Sequence, residues 1–334
     1  MTGPATAAAL RRIGAGGITG SPVAFAVALG LMALLPAVPF SHNGYLEIVF
    51  RNILMYAAMA YGWNMIGGYT GYVSFGQVAF FGLGAYCSAV LSTMGVNNLF
   101  ADVALACAVT ALFAILIGLP VLQLKGHYFA IATLGVALAT TDIVANLDAL
   151  GGTGGLRVQQ VDEAHFSIYY YAMWLVALGA ILATYLIARS KLGYAFVAIR
   201  ENEEAAAVLG INPRRYKIAA WAISAMMAGA AGAVFAPANG FLDPSIAFST
   251  DSNVFPIVMA LLGGIGTVAG PFIGAVILAG ANELLQRYFI NIHSLFFGAM
   301  IVLVVLLLPR GLVWLFGMRG GARTWLKSLT VYKA

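Results

Sequence analysis

The sequence predicts an all-α polytopic membrane protein of about ten transmembrane segments, and three observations predict it. Of its 334 residues 62% are hydrophobic and 9% charged, and the mean hydropathy is +0.92. A soluble domain carries about 25% charged residues, so this chain has too few charges to clothe a water-facing surface. Apolar stretches of about 20 residues, the length that takes a helix across the hydrocarbon core, recur along it. The charges it does have are gathered: residues 189–217 hold six of the seventeen Lys and Arg and three of the twelve acids.

Residues 1–20 carry Arg11 and Arg12 and read as a flexible cytoplasmic tail. The apolar stretch 23–40 is long enough to span, and no small-residue cleavage site succeeds it, so it reads as a first span and not as a cleaved signal peptide. Further spans are expected at 47–66, 75–94, 101–121, 127–147, 169–188, 217–237 and 296–316. Region 254–290 opens apolar (VFPIVMALL), breaks at GGIGTVAGP and resumes at FIGAVILAGANELLQRYF. It reads as a short helix, a break and a second helix. That makes ten segments in a transmembrane domain over 21–317; eight crossings, with 254–290 as one and another segment removed, are the alternative. A basic cytoplasmic tail covers 318–334.

With the N-terminus inside, ten crossings put fourteen of the seventeen Lys and Arg on the inner side, whereas the outer loops hold Asp148, Asp162, Glu163, Asp243 and Asp251. Cytoplasmic loops collect Lys and Arg, so the bias supports this orientation and an even number of crossings. The formal charge of +5 is therefore a matter of topology and not of nucleic-acid binding.

The 39 glycines cluster at 67–86 (GGYTGYVSFGQVAFFGLGAY) and 263–276 (GGIGTVAGPFIGAV). Gly266, Gly270 and Gly274 lie four apart and on a helix would form a flat stripe for close packing. Gly67, Gly68 and Gly71 break a helix, while Tyr69, Thr70, Ser74 and Gln77 add polar groups. Irregular backbone at membrane depth is tolerated only where protein or a watery cavity satisfies it, and freed backbone groups can bind a zwitterionic or anionic solute. Gly67, Gly68, Thr70, Gly71, Ser74 and Gln77 are therefore candidates for lining a translocation path; an ordinary short inner loop is the other reading. The two breaks do not fall at matching positions in two halves, so an inverted repeat stays open but unsupported. GGTGG (151–155) marks an outer turn or a mobile external lip.

Intramembrane charges are expensive and usually functional. The candidates, Glu47 with Arg51, Glu283 with Arg287, and Asp142, all lie near outer ends of spans, where pairing or snorkelling relieves them. No run of buried acids or histidines suggests a proton relay, which disfavours ion-coupled carriage. Cys87 and Cys107 fall in apolar runs, and the four histidines are scattered, so neither a disulfide framework, a metal site nor a catalytic cluster is read. Energy for uphill transport would then enter from elsewhere.

The polar stretch offers a place. Residues 195–209 (AFVAIRENEEAAAVL) favour a helix throughout, Gly210 stops it, and Pro213 follows. A short surface helix suits a groove on another protein. Within it Glu204, Ala205, Ala206 and, after three residues, Gly210 match the EAA-x-x-x-G pattern that marks the coupling loop of bacterial ABC-importer permeases.

From about residue 45 to 315 the chain resembles the LivM-type permeases of branched-chain amino acid ABC importers. The stretches that carry the resemblance are GGYTGYVSFGQVAFFGLGAY, LKGHYFAIATLG (124–135), GGTGGL (151–156), RENEEAAAVLGINPRRYK (200–217), LLGGIGTVAGPFIGA (261–275) and LPRGL (308–312). The resemblance implies a bacterial inner-membrane subunit that works by alternating access, with Glu204, Ala205, Ala206 and Gly210 coupling it to an ATPase. It implies as partners a second homologous permease, two cytoplasmic ATP-binding subunits and an extracytoplasmic substrate-binding protein. The chain has no GxxxxGK[ST] phosphate loop, in keeping with ATP and Mg bound by partner subunits and no cofactor of its own. Branched-chain amino acids are the substrate the resemblance implies first, with urea, short amides and other small solutes as alternatives. A self-sufficient carrier or channel is the rival class, and it gives the polar stretch no task.

Overall fold

The computed structural model describes residues 22–35, 44–96, 98–159, 166–288 and isolated positions between 298 and 313. The expected tails 1–20 and 318–334 and nearly all of the expected last span, 296–316, lie outside the described residues. Each of the other expected segments contains a helix. These are α1 (Pro22–Leu34), α2 (Gly44–Trp63), α3 (Gln77–Thr93), α4 (Leu99–Val121), α5 (His127–Ala145), α6 (Phe166–Arg189), α9 (Pro213–Asn239), α11 (Thr250–Gly263) and α12 (Gly270–Tyr288). The polar stretch forms α7 (Lys191–Glu201) and α8 (Glu203–Val208), and α10 is the single turn Pro244–Ala247. Five helical runs among the described residues are long and apolar enough to cross a membrane: α4, α5, Ser167–Arg189 of α6, α9, and Pro244–Gly263, which α10 and α11 make together.

Helix α9 is the centre of the bundle and packs on α2, α3, α4 and α6. Asn212 caps its start by accepting from Arg215 N, Pro213 opens its first turn, and Gly240 ends it at φ +71°. Its partner α3 comes within backbone contact. A Cβ on Gly232 would lie inside the van der Waals envelope of Phe81 O, and one on Gly84 inside that of Gly229 O. Lipid tails are as apolar as leucine, so close approach through small residues is what holds such helices together. On α4 the buried stripe Ala106, Thr110, Ala114 and Gly118 repeats every four residues for the same reason.

The expected break in 254–290 is present, and its geometry excludes one straight crossing. Helices α11 and α12 fold back on each other, with Gly274 against Met259 O and Gly263 against Gly270 O. The expected stripe of Gly266, Gly270 and Gly274 does not form. Gly266 sits in the turn at φ +70°, because the chain reverses there, and only Gly270 and Gly274 face α11.

The GGTGG segment is a built turn. Two short 3-10 turns (Asp148–Leu150 and Gly152–Gly154) lead into β1 (Leu156–Arg157), which pairs antiparallel with β2 (Phe241–Leu242) in the register Leu156↔Leu242. This ladder ties the α5–α6 connection to the end of α9, at the end of the bundle remote from α7 and α8.

Candidate functional site

The polar stretch folds as two helices and not as the single helix expected over 195–209. Ser190 caps α7, accepting from Leu192 N at 3.2 Å, and Asn202 caps α8, its Oδ1 accepting from Glu204 N at 3.0 Å and Ala205 N at 2.9 Å. An asparagine side chain offers the backbone an alternative to the helix. Here the alternative wins: Asn202 is extended (φ −161°, ψ 112°) and turns the chain between the helices. The stop at Gly210 is as expected. Gly210 has φ +86°, a conformation that favours glycine, and the amides of Gly210 and Ile211 donate to Ala207 O at 3.0 Å and Ala206 O at 3.1 Å.

α8 has two faces. Ala206 is buried at 2% exposure and Glu203 turns inward. Glu204 and Ala205 are exposed, as are Val208 at 88% and Leu209 at 79%. Lys125 approaches Glu204 at 3.9 Å, but both side chains are open to solvent, so the pair holds little. One short helix thus offers a carboxylate and two bare aliphatic side chains at a polar tip of the molecule.

On the inner face Lys217 is the anchor. It is the first residue of the expected span 217–237, yet it is 4% exposed, and its Nζ donates to Glu203 Oε1 at 2.8 Å, Tyr72 Oη at 3.0 Å and Leu122 O at 3.1 Å. Tyr72 donates to the other Glu203 oxygen. Burial pushes the Glu203 carboxyl up, but the bonds from Lys217 and Tyr72 and the charges of Lys217 and Lys125 outweigh it and hold the group below its ordinary value. Burial first, and the bond to Glu203 second, push the Tyr72 phenol up, so it stays a donor. A carboxyl whose folded value is depressed contributes stability that is complete above its unfolded value, about 4.3, and lost as the pH falls through the folded value. The melting temperature of the purified wild type should therefore exceed that of Glu203→Gln at neutral pH, and the gap should close on acidification below about pH 4. A gap that does not narrow in acid would show that the carboxylate is not what stabilises the junction.

The six path candidates lie together beside this junction; Gly67, Gly68, Thr70, Ser74 and Gln77 are buried, whereas Gly71 is exposed. α2 runs into a π-helical turn, Asn64–Tyr69, that contains Gly67 and Gly68. Thr70 Oγ1 donates to Ile66 O at 2.6 Å, Ser74 Oγ accepts from Gly76 N at 3.2 Å, and Gln77 Oε1 accepts from Ser224 Oγ at 3.1 Å. Gly71 at φ +76° lies under Arg200, whose Cγ would be 2.9 Å from a Cβ there. The two glycine clusters, far apart in sequence, meet here. Asn64 clamps the second break by donating to Thr267 O at 3.0 Å and accepting from Gly266 N at 2.8 Å, and a Cβ on Gly68 would stand 2.7 Å from Gly266 N.

A cleft of about 430 Å³ lies between α4, α6 and α9. Its walls include Phe100, Val103, Leu175, Val176 and Met226. Pockets for small polar molecules place a few polar groups on apolar walls. This cleft has only the Cys107 thiol, which points to Met226 O, so it does not suit a zwitterion.

The family described as branched-chain amino acid transport system / permease component matches residues 45–305. The chain belongs to this permease family. It is 30% identical over 317 residues to the high-affinity branched-chain amino acid transport system permease protein LivM of Escherichia coli (strain K12), covering 85% of this chain and 74% of that one. It is 26% identical over 295 residues to the permease protein LivH of Salmonella typhimurium, covering 80% and 95%. The autoinducer 2 import system permease protein LsrC of Klebsiella pneumoniae is 28% identical over 172 residues, covering 46% and 50%. No solved structure matches the chain.

Sequence reasoning missed several functional candidates in this permease. Lys217 and Asp102 each lie within a predicted span, which was signal enough to mark them as buried charges. Asp102 is 6% exposed and accepts from Ser88 Oγ at 3.1 Å. Asn64 also lies within a predicted span, near its end, but as a neutral side chain whose partners are about two hundred residues away; the contacts of Arg200 with Gly68 and of Glu203 with Lys217 and Tyr72 had no signal, because those partners are more than a hundred residues away or on the next helix. Of the acids expected near span ends, Glu283 accepts from Tyr45 Oη at 2.8 Å and Glu47 from Ser167 Oγ at 3.2 Å.

Proposed function

We infer that this permease is the membrane-spanning subunit of an ATP-driven importer and carries branched-chain or similar amino acids across the bacterial inner membrane. The observation that carries the reading beyond the family is α8, which stands at a polar tip with Glu204, Val208 and Leu209 uncovered. A short helix that bares aliphatic side chains beside a carboxylate fits a groove on a soluble protein. In this reading the groove belongs to one of two cytoplasmic ATP-binding subunits, which hold ATP and Mg; Glu204, Ala205, Ala206 and Gly210 form the coupling helix, and this chain has no ATPase site. That places the polar stretch and both tails in the cytoplasm, with ten crossings between them. A second homologous permease completes the membrane unit, lipid surrounds it, and a soluble binding protein delivers solute outside.

Nucleotide shifts such a transporter between inward and outward states only by its differential affinity for them. The segment with Gly67, Gly68, Thr70, Gly71, Ser74 and Gln77 flanks the path in this scheme. Its polar groups are paired internally in the present conformation, so presenting them to solute requires α3 and α9 to shift. Selectivity rests with the binding protein, which leaves the permease to provide a polar route and not a tight site.

The reading is tested by detergent pull-down of the tagged chain from its native membranes, with mass spectrometry of what accompanies it. The wild type should bring down an ATP-binding protein and a second permease, and Val208→Glu and Glu204→Lys should lose the ATP-binding protein while keeping the second permease. Wild type recovered alone, under conditions that preserve other membrane complexes, would point to a self-sufficient carrier.

A further inference from the structure

The docking helix α8 does not simply hang from the membrane domain; its inner face is bonded into the core. An ammonium has three N–H donors, and Lys217 spends all three across elements: on Glu203 of α8, on Tyr72 of the α2–α3 connection, and on the carbonyl of Leu122 at the C-terminal end of α4. The Tyr72–Glu203 bond closes a ring of three hydrogen bonds. The same tyrosine meets Phe129 of α5 edge-on at 5.3 Å, and Phe129 meets Trp221 of α9 at 5.2 Å. Arg200, on the other side of the Asn202 break, donates to Gly68 O at 3.1 Å and stands 2.8 Å from the place a Cβ on Gly266 would take. So the two ends of the α7–α8 corner grip the same short stretch, 68–72, and through Gly266 the second glycine break as well.

A buried ion pair is a poor way to gain stability alone, since apolar groups of equal volume often do as well. It is a good way to hold several elements in one register. We propose that the Lys217–Glu203–Tyr72 ring, with Arg200 beside it, is the joint that turns displacement of α8 into rearrangement of the two glycine breaks. Lys217 is then a positioning residue for energy transfer and not for docking. This rests on the reading of α8 as the ATPase-docking helix. The division of α8 into two faces makes the claim separable: Glu204, Val208 and Leu209 point out, while Glu203 and Ala206 point in.

The experiment compares amide hydrogen exchange of the complex recovered with its ATP-binding subunits, with and without ATP, in wild type, Lys217→Met and Tyr72→Phe. In wild type ATP should change exchange at α8 and, by at least about fivefold, at residues 66–76 and 264–269. In both variants the ATP-binding subunit should stay bound and α8 should still respond, while the change at the two breaks falls below about twofold. Tyr72→Phe removes one hydroxyl and keeps the aromatic contact, so it decides the matter if Lys217→Met does not accumulate. Breaks that respond equally in wild type and variants overturn the proposal, as does a wild type in which α8 responds and the breaks do not. Loss of the ATP-binding subunit from the variants also overturns it, because the junction would then shape the docking face. Absence of that subunit from the wild type is a different result: it strikes the functional reading itself and is seen before any variant is made.

Discussion

Gly232→Ala should cost the protein about 3 kcal/mol, the upper part of the range for overpacking a tight interface, whereas Gly135→Ala should be neutral or stabilising by about 0.5–1 kcal/mol from helix propensity. The chemical change is one methyl group in both. At Gly232 that methyl would overlap the backbone of Phe81 and come 2.8 Å from Ala85 N, and backbone cannot rotate aside. Helices α3 and α9 must then separate, and α9 is the helix on which α2, α4 and α6 also pack. At Gly135 of α5 nothing lies within 4 Å. Thermal unfolding of the two purified variants in detergent, beside the fraction recovered as monodisperse protein, measures the contrast. Equal melting temperatures would refute the account of how these two helices meet.

Asn64→Leu should be as damaging for a different reason. Leucine has the same branched outline but is larger and can neither accept from Gly266 N nor donate to Thr267 O, and both groups are held by the Asn64 amide. Each buried backbone group left without a partner costs about 1–3 kcal/mol, so roughly 2–6 kcal/mol is at stake. The loss should be local as well as global. Amide exchange at residues 264–269 should accelerate far more than exchange in α9, because the turn between α11 and α12 has lost its clamp. Unchanged protection of that turn in Asn64→Leu would mean that the turn is held by its own hydrogen bonds, such as Thr267 Oγ1 to Gly264 O. Transport should fall with it in this permease, since Gly68 and Gly266 can touch only while the clamp holds them.

The two variants mark where reading the chain residue by residue stops. Gly232 and Gly135 look alike in sequence, both small residues inside apolar helices. Asn64 looks like a polar blemish near the end of a span. By contrast, the stop at Gly210 and the turn at GGTGG were legible, because each is settled within four or five residues by backbone conformation and local hydrogen bonds. The expected helix over 195–209 failed on the same kind of local ground. Asn202 carried the signal of a cap, and the run of helix-favouring neighbours hid it.

The motif of the candidate site was likewise visible, as Glu204, Ala205, Ala206 and Gly210 lie within seven consecutive residues. Its inner side was not. Glu203 is one residue from Glu204, yet one faces solvent and the other Lys217, and only the pitch of a six-residue helix pressed on α9 separates them. Tyr72 and Lys217 are 145 residues apart.

Apolar length and charge placement make this chain a membrane protein of many helices, mark where those helices start and stop, and pick out the polar stretch that we propose meets a soluble partner. These follow from properties that add along a chain: transfer free energy, backbone propensity and the positions of Lys and Arg. Which glycines are contacts and which are turns, why two distant glycine clusters touch, and which of three neighbouring acids turns inward depend on pairings across the bundle. Such pairings form between groups that no local pattern connects, and they exist only once the helices have packed.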